Sequence, residues 1–235
     1  MPRRHPFSYV SLTGQMCSPK NAASRAFDTP LALDYMKVLE FDETVQSFQE
    51  WPCVVHYRDG LTETHYTPDV LVHYWRSGST QRKPLLVEIK SEADMKANAR
   101  VYQSRFNAAR GFAKTNGWEF AILTEKEIRT PFLSNARFLL PFKNRNQYDP
   151  EYTLLFESIP ATASIRLADL IDRAERKMRE DPLYRYLIHG DPMGARERLQ
   201  AMVWVLVAQG FLVLNLRAER ISMSSMATAG LGRRK

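Results

Sequence analysis

Hydrophobic spacing along residues 30–123 switches between helical and strand-like periods, and each switch marks an element. Asp28-Thr29-Pro30 opens the first, with Thr29 able to cap a helix and Pro30 in a first turn that does not need its N–H. A helix is predicted from Pro30 to about Glu40. Cys53–Tyr57 and Leu61–Tyr66 are rich in β-formers and flank Asp59-Gly60, which predicts an antiparallel hairpin. Val70–Trp75 and Leu85–Lys90 are expected to continue that sheet, joined by the loop at residues 76–80. From Glu92 to Thr115 the period becomes helical, with Ala99, Tyr102, Phe106, Ala109 and Ala113 in one apolar stripe. Phe120–Leu123 reads as another buried strand, and Phe132–Leu140 as a closing element of either type. The fold class that follows is α/β, a mixed sheet flanked by helices.

The second half has a different texture. Lys143–Pro150 (KNRNQYDP) is polar, turn-rich and closed by proline, which predicts a domain boundary and a first domain over residues 1–145. Helices are expected at Ile165–Arg179 and Ala195–Gln209, the latter stopped by Gly210, with a strand at Phe211–Leu216 on which Arg220–Met223 could fold back. This suits a small winged-helix domain over residues 146–223 and equally a plain helical one. Trp204 and its neighbours Val203, Val205, Leu206 and Val207 read as core. Residues 224–235 lack periodicity and end in Arg233-Arg234-Lys235, a pattern expected of a flexible basic tail.

Composition narrows the class. At 235 residues, 44% hydrophobic and 25% charged, the chain has enough apolar mass for a core and is neither a peptide scaffold nor a disordered segment. Cys17 and Cys53 are too few for a disulfide framework or a cysteine-rich zinc site, so reduced thiols are expected. The longest apolar run, 201–216, is broken by Gln209, Gly210 and Asn215 and falls short of the ~20 residues a membrane span needs. The basic start, Met1 to Pro6, has no apolar stretch behind it and argues against a secretory signal. A formal charge of +7 suits a polyanionic partner. That excess is concentrated: between Arg76 and Lys114 nine Lys or Arg face three acids. Lys96, Arg100, Arg110 and Lys114 fall along a helical stripe opposite the apolar one, where they could meet phosphates.

The chemistry sits beside this window. Hydrolysis of a phosphodiester calls for carboxylates converging on a hard divalent cation such as Mg²⁺ or Mn²⁺, with a positive or proton-moving group near the attacking water. Pro68-Asp69 opens one strand and Glu88-Ile89-Lys90 lies on the next. Because positions i and i+2 of a strand share a face, Glu88 and Lys90 project together while Val87 and Ile89 turn away. A bare ion pair at a sheet edge is the simpler reading of these three residues alone. His56, His65 and His73 fall on neighbouring strands, and their spacing fits no ligand signature.

This Pro-Asp, then Glu-x-Lys, arrangement resembles the PD-(D/E)xK nuclease superfamily, and the order of elements around it is that of a restriction-endonuclease-like core. The resemblance sharpens to TnsA, the endonuclease subunit of heteromeric cut-and-paste transposons. It is carried by LALDYMKVLEF (31–41), VQSFQEWP (45–52), YTPDVLV (66–72), LLVEIK (85–90) and FAILTEKE (120–127). The resemblance implies that Asp69 and Glu88 bind Mg²⁺ or Mn²⁺ and that Lys90 assists the attacking water or the transition-state charge. It also implies cleavage of double-stranded DNA at the 5′ ends of a transposon in the bacterial cytoplasm, with a TnsB-type transposase and a TnsC-type AAA+ ATPase as partners of the C-terminal domain.

Two positions depart from the family. Ala32 stands where the first helix carries a glutamate of the metal site, and Trp51 where glutamine often precedes the proline. Without that glutamate the cation is expected to bind more weakly. Either this copy has lost cutting, or the alanine was introduced to trap an uncleaved complex, as the intact Asp69, Glu88 and Lys90 favour. A stand-alone repair or restriction nuclease and a non-catalytic DNA-binding assembly subunit are the alternatives.

Overall fold

The computed structural model describes residues 14–16, 18, 20–21, 25–76, 81–145, 149–188 and 192–232. Cys17, most of the expected loop at 76–80, part of the 143–150 stretch and the terminal Arg233-Arg234-Lys235 lie outside them. The chain divides into two compact units, residues 1–133 and 134–235. The division falls ahead of the expected boundary at 145: Leu133 still belongs to the apolar cluster of the first unit, whereas Asn135 already bonds to residues 216–221 of the second.

The first unit runs β1 (Gly14–Met16), β2 (Arg25–Phe27), α1 (Pro30–Phe41), β3 (Val45–Glu50), β4 (Val55–Asp59), β5 (Thr62–Tyr66), β6 (Val70–Tyr74), β7 (Leu85–Ile89), α2 (Glu92–Ala97), α3 (Ala99–Thr115), β8 (Glu119–Leu123) and α4 (Glu125–Ile128). As the sequence predicts, Thr29 caps α1, accepting the Ala32 N–H at 3.1 Å. The main sheet is mixed, in the order β3-β6-β7-β8, antiparallel except for the parallel β7–β8 pair. Strand β7 is central and buried on both faces, with Leu86 and Val87 at 0% exposure. Val87 and Ile89 join α1 residues Tyr35, Met36 and Leu39 in one cluster, while Leu71 and Leu86 pack with Ala113 of α3. Helices therefore cover both faces, as an α/β layer requires.

Two expectations need correction here. The β4–β5 hairpin is a separate two-stranded sheet that packs on α3 through Val55, Tyr66 and Ala109; it is β3 that flanks β6. Pro52 and Pro68 stand at the two junctions, and a proline cannot donate to a continuing ladder. The helix expected over 92–115 is two helices. Asn98, with φ −117° and ψ 23°, ends α2 and starts α3, and its side chain donates to that of Asp94 at 2.6 Å.

Helix α5 (Pro131–Leu139) straddles the division, and the second unit continues with α6 (Pro150–Ser158), β9 (Ile165–Arg166), α7 (Leu167–Glu180), α8 (Pro192–Ala208), β10 (Leu212–Val213) and β11 (Met226–Ala229). Its three short strands pair antiparallel in the order β10-β11-β9. Leu154, Leu155, Leu167, Leu170, Val203 and Leu206 are fully buried. Gly210, at φ +76°, takes the left-handed conformation that stops α8. Val203, Val205, Leu206 and Val207 are core as expected, but Trp204 is half-buried, its ring 5.0 Å edge-on to Phe138.

The hairpin expected from 211–216 and 220–223 does not form. Buried Asn135 binds that loop instead, donating to the carbonyls of Leu216 and Glu219 at 2.8 Å each and accepting the Ile221 N–H at 3.0 Å. Those backbone groups are then not free for a ladder. The pairing strand comes from within the expected tail, where Ala227 is buried between neighbours and Met226–Ala229 joins β9 to β10. Among the described residues no helix is long and apolar enough to cross a membrane.

Candidate active site

Asp69 lies one residue before β6, and its position follows from the register. Val70 pairs with Val87, so the next step along the two antiparallel strands sets Asp69 opposite Glu88. Asp69 N–H donates to the Val87 carbonyl at 3.1 Å, and its carboxylate Oδ2 accepts the Ile89 N–H at 2.6 Å. Glu88 is 2% exposed, and its Oε1 lies 3.0 Å from Lys90 Nζ. The three residues that the sequence singles out are thus brought together at one end of β6 and β7, on the face that looks towards α3.

Burial raises the Asp69 carboxyl pKa from 3.8 to about 7, helped by the Glu88 charge and opposed by Lys90 and the Ile89 N–H. Protein atoms crowd Asp69 almost completely, yet it keeps a strip of accessible surface. Glu88 is also raised, by burial first, against the pull of Lys90. Burial draws the Lys90 ammonium down, but Asp69 and Glu88 outweigh it and hold the group above its usual range. Lys90 engages one oxygen of Glu88, and among the described residues the other, Oε2, is buried with no hydrogen-bond partner. Such an arrangement favours arrival of a cation.

Among the described residues no set of three or more His, Cys, Asp or Glu is grouped to hold a metal ion. Two carboxylates are nevertheless an adequate protein share for Mg²⁺, which keeps several waters and takes further oxygens from substrate phosphate. The unmatched Glu88 oxygen and the oxygen-only donor set fit a hard cation, with Asp69 and Glu88 as the residues that would hold it.

Ala32 is 6% exposed and belongs to the apolar cluster of Val87 and Ile89, the residues that alternate away from Glu88. A longer side chain at 32 would lean towards the N-terminus of α1, as helical Cα–Cβ bonds do. That end is close to the site, since the Asp28 charge acts on both Asp69 and Glu88. Trp51 has φ 46°, a conformation most side chains avoid, and its N–H donates to the Asp69 carbonyl at 2.8 Å. The residue thereby anchors the backbone that carries Asp69.

The histidines are not gathered at the site. His56 and His65 face each other across β4–β5, both exposed, and His73 pairs with Ser47 on β3. Cys53 is a free, half-buried thiol whose pKa burial raises. Of the basic stripe, Lys96 sits on α2 and Arg100, Arg110 and Lys114 on α3, all exposed. The break at Asn98 interrupts the stripe, and Arg110 stays near its own unit, bonded to Asn107 at 3.0 Å and 5.8 Å from the Phe120 ring.

Sequence spacing missed two groups. Arg105 projects from α3 with its guanidinium 5.2 Å from the Tyr66 ring and 5.3 Å from that of Tyr102. Tyr102 in turn donates its hydroxyl to Asp94 at 2.7 Å, which holds the Asp94 carboxyl below its usual range. The available signal was the i, i+3 spacing of Tyr102 and Arg105, which sets a cation beside the apolar stripe instead of opposite it.

No curated protein matches the chain. A family model does: residues 42–125 match the family described as TnsA-like endonuclease N terminal. The matched stretch holds Trp51, Asp69, Glu88 and Lys90 and begins after α1, leaving position 32 outside it. Over β3 to β8, then, the chain is similar to the N-terminal domain of the TnsA-like endonucleases, and the resemblance to a transposon-related nuclease holds.

Proposed function

We propose that the chain is a metal-dependent DNA endonuclease that cleaves the 5′ ends of a transposon in the bacterial cytoplasm, beside a TnsB-type transposase and under a TnsC-type ATPase. The observation that carries the reading is the convergence of Asp69, Glu88 and Lys90 on one face, with a buried carboxylate oxygen of Glu88 left unmatched. A bound Mg²⁺ or Mn²⁺ would supply Lewis-acid charge for the phosphate and acidify a water. Asp69 and Glu88 would hold the cation, and Lys90 would offset developing negative charge or orient the attacking water. Lys96, Arg100, Arg110 and Lys114 supply phosphate contacts that position the duplex without reading bases. In the second unit the order helix, strand, helix, helix, strand, strand supports a winged-helix fold, here a docking domain for the partners.

A second reading has its own observation. Ala32 lies in an apolar cluster, so the nuclease core of a non-catalytic assembly subunit would look the same there. The test is Ala32→Glu, assayed on a labelled transposon end with and without the transposase. Cutting only in its presence, abolished by Asp69→Ala, is the expected result. Cutting of bare DNA would instead indicate a stand-alone nuclease. Absence of both cleavage and Mg²⁺ binding would favour the assembly subunit, and cutting that survives Asp69→Ala would overturn the site.

A further inference from the structure

Among the described residues, three buried polar atoms near the carboxylates have no hydrogen-bond partner: Tyr66 Oη, Glu88 Oε2 and Arg105 Nε. Buried polar groups are paired in the great majority of cases, so three unmatched atoms in one neighbourhood point to a ligand. They are neighbours. The Arg105 guanidinium packs against the Tyr66 ring, and the Glu88 charge acts on both residues. Glu88 Oε1 is already engaged by Lys90, so its other oxygen is the one left open. Arg105 is held by surroundings that leave it little freedom: the rings of Tyr66 and Tyr102, and a hydrogen bond with the Tyr57 side chain. Tyr57 and Tyr66 brace each other edge-on at 5.9 Å, and Tyr102 stacks on Phe106 at 5.1 Å. Arg105 as a whole is half-buried, although its Nε, like Tyr66 Oη and Glu88 Oε2, has almost no accessible surface, and a cation fixed in this way has the form of a built anion site.

We propose that Arg105 and the Tyr66 hydroxyl form a phosphate-binding subsite beside Glu88, taking a non-bridging oxygen of the DNA phosphodiester. The chemistry divides by type. Arg105 Nε–H and Tyr66 O–H are donors and suit a phosphate oxygen, whereas Glu88 Oε2 is an acceptor and suits a cation or its water. Donors and acceptor side by side match a phosphodiester lying against a metal-binding carboxylate. The inference rests on the nuclease reading for the identity of the anion, and the geometry of the aromatic clamp is independent of it.

The experiment is binding of a fluorescent 20-base-pair duplex to the full chain by anisotropy, titrated with salt and with Ca²⁺ as the cation. Arg105→Gln is expected to weaken binding roughly tenfold and to make the log–log salt slope shallower by about one, the signature of one lost phosphate contact. Arg105→Lys keeps the charge and should keep the slope. Tyr66→Phe keeps the ring, removes a neutral donor, and should lower affinity several-fold at unchanged slope. Unchanged affinity and slope in a folded Arg105→Gln protein would overturn the subsite and leave these atoms to ordered water. Should Arg105→Gln not fold, unaltered affinity in both Arg105→Lys and Tyr66→Phe overturns it equally. The nuclease reading fails separately: a shallower slope in Arg105→Gln with no cleavage by Ala32→Glu would keep the subsite and sink the enzyme. Cleavage with an unmoved slope would do the reverse.

Discussion

Asp69→Asn removes a charge that the fold holds at a cost, and it should stabilise the protein in a pH-dependent way. The Asp69 carboxyl is raised from 3.8 to about 7, roughly three units, and at about 1.36 kcal/mol per unit the ionised form is disfavoured by on the order of 4 kcal/mol. That figure is a ceiling, because the accessible strip on Asp69 lets water screen the charge. The sign follows from proton counting. Between pH ~4 and ~7 the native protein keeps a proton on Asp69 that the unfolded chain has released, so stability falls as pH rises through that window and levels off above it. Asparagine abolishes this slope, its oxygen can still accept the Ile89 N–H, and Lys90 retains Glu88 at 3.0 Å. Urea unfolding of both proteins in EDTA at pH 5, 6, 7 and 8 should give a stability difference that grows from about zero near pH 4 to its maximum above pH 7, in favour of the variant. A difference flat with pH, or a variant less stable than the parent at pH 8, would refute the argument.

Three further outcomes follow from the structure. Leu86→Ala, at a fully buried position of β7, should cost about 2–5 kcal/mol and lower the urea midpoint of the first unit. Asn135→Ala leaves two carbonyls and one N–H of the 216–221 loop unmatched; a loss of about 3 kcal/mol and earlier protease cutting in that loop are expected. Replacing Lys96, Arg100 and Lys114 together by glutamine should weaken duplex binding for every sequence alike and flatten its salt dependence by up to about three units of slope, measured by anisotropy.

A destabilising cluster at the end of β7 is physically consistent with a role in binding. Buried like charges persist only where something uses them, and here burial raises both carboxyls while a cation is the ligand that would relieve them. Trp51 contributes in the same sense, since its left-handed backbone is tolerated where its N–H anchors the Asp69 carbonyl.

Much of this was legible in the chain itself. Local rules suffice for Thr29 capping α1, for the β4–β5 hairpin around Gly60, and for Gly210 ending α8, because each depends on the conformational preference of a few adjacent residues. Strand parity alone places Glu88 and Lys90 on one face and Val87 and Ile89 on the other, and the Pro-Asp and Glu-x-Lys spacing leads to the TnsA resemblance that the family match over 42–125 supports. Tertiary structure decided what depends on partners distant in sequence. Which strand flanks β6 was settled by long-range pairing: β3 joins it, while β4–β5 stays a separate sheet between Pro52 and Pro68. The last strand came from 226–229, not 220–223, because Asn135, more than eighty residues away, takes up the backbone groups of the intervening loop. Arg105 escaped the periodic reading for the same reason. A single basic residue beside an apolar stripe has no local signature, and its meaning arises only when folding sets it against Tyr66 and Glu88, where removal from water makes an unmatched donor informative.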